Sequence, residues 1–278
     1  LSRPAKRHKL RAIRVAFQQT LHPPKIVLKK SNRTERKSMH MTQRNQIIQV
    51  MEKLGGVATL GQLNREVDCG GWKTKTPYAS IRRIVQNERY FFKVRPGLWA
   101  LKTHRKKLGH LAGENQTPEK REQSDHAYYQ GLLLEIGGIK GYETFAPNQD
   151  KNRVFYGATT LGEMRKLQSI YPFSYDDIVK RARMIDVIWF NKRRLPYAAF
   201  EVEHSTDFTE ALSKYLMLQD FNTKFCVVAH QAKKRRFEEK MSRSEYQPIK
   251  GRVQFINYDK LADWHSKSME AHAHRDMP

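Results

Sequence analysis

Cysteine is scarce: Cys69 and Cys226 are the only two in 278 residues. They lie far apart and in no metal-ligand spacing, which argues against a disulfide framework or a structural zinc site. No apolar run approaches the ~20 residues of a membrane-spanning helix, and no basic-then-apolar leader is visible. Several catalytic motifs are missing too. Without a Walker loop, a nucleophile elbow or an HExxH pair, nothing supports an ATPase, a serine hydrolase or a zinc protease. A cytoplasmic protein with no membrane segment is the expectation.

Acids are also few. Lysine and arginine number 52 against 28 aspartates and glutamates, a net charge of +24. Such an excess favours a polyanionic partner, and nucleic acid is the commonest. Residues 1–39 hold twelve Lys or Arg against Glu35 alone. With Pro4, Pro23 and Pro24 and no sustained periodicity, they read as a disordered basic arm. The remainder is still basic, and a hydrophobic content of 39% is enough for packed cores in a chain of two-domain length.

Residues 40–108 have a compact, helix-rich pattern. A first helix capped near Thr42 would bury Ile47, Ile48, Met51 and Leu54 and stop at Gly55-Gly56. A second starts at Thr59 and puts Leu60, Leu63 and Val67 on one face. A third opens with Thr76 as cap and Pro77 in the first turn. Two short strands then meet at Pro96-Gly97, where proline fixes φ and glycine supplies the positive φ of a type II turn. The segments "TLGQL", "PYASIRRIV" and "FFKVRPGLWAL" resemble the second helix, third helix and wing of winged helix-turn-helix domains, particularly the small modules that accompany bacterial restriction enzymes. The resemblance implies that the third helix enters a DNA major groove. Ser80, Arg82, Arg83, Gln86 and Asn87 would then face bases and phosphates, with Lys73, Lys75, Lys93 and Arg95 gripping the backbone. A solvated helix face on a protein-binding module is the competing reading.

Residues 109–124 are polar, lack apolar periodicity and read as a linker. From 125 to 268 the pattern becomes α/β: a helix ending at Gly137-Gly138, a short strand "YETFAP", a turn at Tyr156-Gly157 and a helix near 174–182. Two apolar strands follow, "RMIDVIWF" and "YAAFEVEHS". A helix over 208–219, a strand "KFCVVA", a basic helix, a strand "RVQFIN" and a terminal helix complete it. The expected class is α+β or α/β in two domains, the second with a mixed sheet. Residues 269–278, with "AHAH", read as a frayed tail.

Two acids interrupt the second apolar strand. Side chains two apart share a strand face, so Glu201 and Glu203 project together while Phe200, Val202 and His204 point away. Antiparallel pairing through the short turn brings Asp186 opposite them. Three carboxylates on buried strands repel one another and are costly to desolvate; a divalent cation relieves both, and hard oxygen ligands suit Mg2+ or Mn2+. Salt bridges to Arg181, Arg183 or Arg194 are the bland alternative.

The run "IDVIWF…FEVEH" resembles the PD-(D/E)XK nuclease superfamily, over roughly residues 125–265. That resemblance implies metal binding by Asp186 and Glu201. It departs at the lysine position, which holds Glu203; a minority of restriction endonucleases carry glutamate there, and Lys214 on the next helix is a candidate for a migrated lysine. A polar residue from the first helix is also implied, Gln130 before Glu135. Lys192, Arg193 and Arg194 are candidates for the phosphate backbone; His126 and His204 rank lower. The function expected is a Mg2+-dependent endonuclease of bacterial restriction type acting on double-stranded DNA, with a homodimer as the assembly that cuts both strands symmetrically. The rivals are a DNA-binding regulator with an inactive nuclease-like domain, and a nuclease for RNA or branched DNA.

Overall fold

Polar spacing and caps start the first helices where the sequence places them. The computed structural model describes residues 41–275; the arm read over 1–39 and the end of the C-terminal tail lie outside them. Helix α1 spans Gln43–Lys53, and the Thr42 hydroxyl accepts the Asn45 N–H at 3.3 Å. Strand β1 (Val57–Thr59) leads into α2 (Leu60–Glu66), whose Thr59 and Gln62 form a capping box. Helix α3 is Pro77–Val85. Strands β2 (Phe91–Arg95) and β3 (Leu98–Leu101) form the expected hairpin, turning at Gly97 with φ +78°. The sequence pattern did not reveal β1, which pairs antiparallel with β3 and makes a three-stranded sheet. Three residues are too few to display an alternation.

After a short α4 (Arg105–Leu108) comes α5, Pro118–Ile139. It starts inside the stretch read as a linker. Thr117 caps it and Pro118 sits in its first turn, the same start signal as at α3, and its polar first turns lie in solvent. Nor does Gly137-Gly138 end it. A Cβ at Gly137 would stand 2.5 Å from both Thr144 Cγ2 and Trp189 Nε1, so this glycine provides close approach rather than termination. Strand β4 (Glu143–Phe145), a small hairpin of β5 (Val154–Tyr156) and β6 (Thr159–Thr160), α6 (Leu161–Met164) and α7 (Asp176–Ala182) follow. Then come β7 (Val187–Phe190), β8 (Pro196–Glu203), α8 (Thr209–Leu216), β9 (Lys224–Ala229), α9 (Lys234–Met241), β10 (Val253–Asn257) and α10 (Tyr258–Arg275). Helix α10 thus continues through residues 269–275.

The main sheet is mixed, ordered β10-β9-β8-β7-β4. β4, β7 and β8 are antiparallel in succession, while β8, β9 and β10 run parallel. Both faces are buried, as near-continuous apolar strands require. Val187, Trp189, Phe200, Val202 and Val228 pack on one face against α5 and Leu261 of α10. Ile188, Phe190, Ala199, Phe225 and Val227 pack on the other against α7, α8 and α9. The first core also takes in Val57, Phe92, Leu98 and Ala100 from the three-stranded sheet.

Candidate functional site

Strand register gathers the carboxylates. Val187 pairs with Phe200, which brings Asp186, just before β7, beside Glu201. Asp186 Oδ2 accepts the Val202 N–H at 2.7 Å. Glu201 shares the Ala199 face of β8 and so meets α8, where Lys214 Nζ donates to its Oε2 at 2.9 Å; both side chains are buried. Glu203 closes the strand, half-buried, and accepts from the Ser205 hydroxyl at 3.3 Å. These four residues line one cleft of about 330 Å³, together with His126, Arg153 and His204. Ion pairing of Glu201 or Glu203 to Arg181, Arg183 or Arg194 does not occur among the described residues; Arg181 donates to Ser213 instead.

A second group shares Asp186. His126 Nε2 stands 3.2 Å from Asp186 Oδ1, and ligand atoms of His126, Asp150 and Asp186 all lie within 4.8 Å of one another. Asp150 comes from a single turn, Asn148–Asp150, which carries no periodic signal. Arg153 Nε pairs with it at 2.9 Å. Gln130 is fully buried and donates to Asp150 Oδ2 at 2.9 Å and to the Asp186 carbonyl at 3.2 Å. It therefore anchors the strand entry and does not line the cleft. Glu135 pairs with His265 at 2.7 Å, away from the carboxylates. His204 does line the cleft, because β8 ends at Glu203 and the alternation that would turn His204 away ends with it.

Burial and crowding set the charges. Burial, then the Asp186 charge, pushes the Glu201 carboxyl upward, and the Lys214 ammonium 2.9 Å away opposes both. The same two causes raise Glu203 to about 7. For Asp186, burial works upward, but the His126 charge and hydrogen bond, with the Val202 N–H and the Lys214 charge, together outweigh it and lower the group. Burial would lower His126, yet Asp186 raises it. Lys214 is likewise raised, with Glu201 overcoming burial. Burial, with the positive charge of His126, pushes His204 down to about 4. Glu201 Oε1 is buried and has no hydrogen-bond partner, an orphaned oxygen ready for a ligand.

The residues expected to face DNA divide. Lys73, Lys75, Arg83, Gln86 and Asn87 are exposed. Ser80 is buried, its hydroxyl on the Thr76 carbonyl at 3.2 Å, and Arg95 is buried in a pair with Asp125 and Ser124. Both are engaged inside the fold and cannot reach a duplex as they stand. Arg82 pairs with Asp263 at 3.0 Å and Lys93 with Asp259 at 3.7 Å, both acids on α10. Lys192, Arg193 and Arg194 are exposed in the β7–β8 turn. A hairpin turn lies at the far end of its strands from Asp186 and Glu201, roughly 16 Å along β8, so these cations are not beside the carboxylates.

A family model described as the Type II restriction enzyme NmeDI C-terminal domain matches residues 110–273. The type II restriction enzyme NmeDI of Neisseria meningitidis serogroup C is 32% identical over 114 residues, 37% of this chain and 32% of that protein. The chain thus spans about a third of the length of the relative it matches. No solved structure matches.

Proposed function

This chain belongs to the family of the type II restriction enzyme NmeDI C-terminal domain, and from that premise we propose that it is a divalent-metal-dependent endonuclease hydrolysing phosphodiester bonds in double-stranded DNA. The observation that carries the reading is the convergence of Asp186, Glu201, Glu203 and Lys214, from two strands and a helix, on one cleft. The order α5, β4, β7, β8, α8, β9, with an acid entering one central strand and Glu-x-Glu closing the next, supports the PD-(D/E)XK reading. Lys214 supports a migrated lysine, since its ammonium reaches Glu201 from α8.

The donors fit Mg2+ or Mn2+. Asp186 and the orphaned Glu201 oxygen are hard ligands, with Glu203 beside them, or Asp150 and His126 on the other side of Asp186. A cation there supplies positive charge to the phosphate and acidifies water. Lys214 orients Glu201 and adds a hydrogen-bond donor where negative charge develops. Glu203, at the end of β8 beside them, is placed to orient the attacking water and take a proton from it. Residues 41–108 act as a winged helix that supplies affinity through Lys73, Lys75, Arg83 and Gln86, and two copies cut the two strands.

The test is cleavage of varied DNAs with Mg2+ by wild type, Asp186→Asn, Glu201→Ala and Lys214→Ala. Loss of about 10²-fold or more in each variant is expected. Cutting that persists unchanged in all three would sink the site, and sequence-specific binding without cleavage in any divalent metal would favour a regulator.

A further inference from the structure

A β-bulge at the start of β8 redirects an aromatic ring. Pro196 pairs with Phe190 and Ala198 with Trp189, leaving Tyr197 without a partner. Bulges re-aim side chains. Strict alternation would send Tyr197 to the Glu201 face. Instead its ring stacks on Tyr142, centroids 4.5 Å apart, against the core of the opposite face. Tyr142 also stacks on Trp189 at 5.5 Å, and Trp264 of α10 lies 5.6 Å from Trp189. These rings and buried Phe200 line a cleft of about 460 Å³, a volume within the roughly 300–1,000 Å³ of small-ligand sites.

The charge around it has one sign. Lys140, Lys224 and Arg252 line the cleft, and no carboxylate does. Lys140 Nζ lies 5.8 Å from the Trp264 ring centroid. Lys224 Nζ lies 4.9 Å from the Tyr197 ring centroid and donates to its hydroxyl at 2.9 Å. Arg252 is fixed by the Phe221 and Gln219 carbonyls. Aromatic walls with a cationic rim select a planar heterocycle that bears a negative charge.

We propose that this cleft binds one unpaired nucleotide, the base against Tyr197 and Trp264 and the phosphate on Lys140 and Lys224. The site is distinct from the carboxylate cleft: Tyr197 and Glu203 stand at opposite ends of β8, roughly 20 Å apart along the strand. The nucleotide is either free or an unpaired unit of a DNA strand; base and phosphate are the same in both.

Calorimetric titration with dAMP tests it, with EDTA present so that strand cleavage plays no part. Saturable binding to one site is expected, weakened about tenfold or more in both Lys224→Glu and Trp264→Ala, with inorganic phosphate failing to displace dAMP at equal concentration. A short duplex with one unpaired adenine separates the two sources. Displacement of dAMP assigns the strand, and its absence assigns the free nucleotide. Absence of saturable dAMP binding, equal binding by wild type and both variants, or displacement by phosphate alone overturns the proposal. Trp264 packs on Trp189, so exposed Lys224→Glu decides the matter should the tryptophan variant fail to fold.

Discussion

Lys214 and Glu201 form the buried ion pair of the candidate site, and buried pairs respond unevenly to substitution. Removing one partner leaves an uncompensated charge, at a cost of about 3–5 kcal/mol, whereas replacing both is often close to neutral. Lys214→Met alone should therefore lower stability markedly, and Glu201→Gln with Lys214→Met should recover most of the loss. Urea denaturation of the three proteins checks this; a single variant as stable as wild type would show that no charged pair exists there. A second residue acts on the helix that carries Lys214. Asp207 Oδ1 accepts the Thr209 N–H at 3.0 Å, and hydrogen bonds from Thr209, then from Lys240, lower its carboxyl to about 2. Because the folded value lies below the ordinary 3.8, its contribution is present above that pH and is lost as pH falls toward 2. The stability gap between wild type and Asp207→Ala should be seen at pH 7 and shrink between pH 4 and 2; a gap constant with pH would dismiss a stabilising role for the charged carboxylate. Asp186, Glu201 and Glu203 were legible in the sequence because a two-residue period survives inside a strand. His126 ranked low in the sequence and Asp150 carried no signal there, since their meeting depends on a single turn and on how α5 lies across β7.

At the level of elements, the central strands and α8 were legible because their patterns are long and uniform. Helix α5 extends beyond its apolar pattern, by about two turns at its start and by one residue past Gly138 at its end, for two physical reasons. Its first turns are wholly polar, so capping rather than periodicity marks them. At its end, glycine normally favours termination, but here Gly137 is where Trp189 and Thr144 press against the helix. The two adjacent glycines should accordingly respond in opposite directions to alanine. Helix propensity favours alanine by about 1 kcal/mol at both. At Gly137 the added methyl collides with a buried tryptophan that is hydrogen-bonded to the Leu133 carbonyl at 3.0 Å, and overpacking costs about 1–3 kcal/mol. At Gly138 the nearest atom is Lys166 Cε at 3.9 Å, an ordinary contact. Gly138→Ala should raise the thermal midpoint and Gly137→Ala should lower it. Equal shifts of the same sign would mean that α5 does not lie this close to β7.

Across the whole molecule, the division into two domains that composition suggests is bridged by packing. Val57, Phe92 and Leu98 share a core with Tyr128 and Leu132 of α5. The Tyr128 hydroxyl donates to the Pro96 carbonyl at 2.9 Å, and Asn64 donates to Glu270 at 2.8 Å. A linear reading could not reveal this, because the contacts join residues far apart in sequence. It bears directly on how the excess of positive charge is used. Arg82 and Lys93, two cations of the proposed recognition surface, are paired with Asp263 and Asp259 of α10. Neither pair is buried: the side chains are 42% and 37% exposed in one and 50% and 77% in the other. Pairs of this kind contribute only about 0.2–1 kcal/mol to stability. Replacing both acids with alanine should thus leave the fold nearly as stable, yet free two cations and remove two negative charges from the approach of a duplex. DNA affinity is then expected to rise, and its dependence on salt to steepen, since each further phosphate neutralised adds about −0.9 to the slope of log affinity against log salt. Binding isotherms at several salt concentrations, without divalent metal, measure that slope for wild type and the Asp259→Ala, Asp263→Ala double variant. A slope steeper by about two would place Arg82 and Lys93 on phosphates. An unchanged slope with unchanged affinity would remove both from the DNA-binding surface and leave recognition to Lys73, Lys75, Arg83 and Gln86.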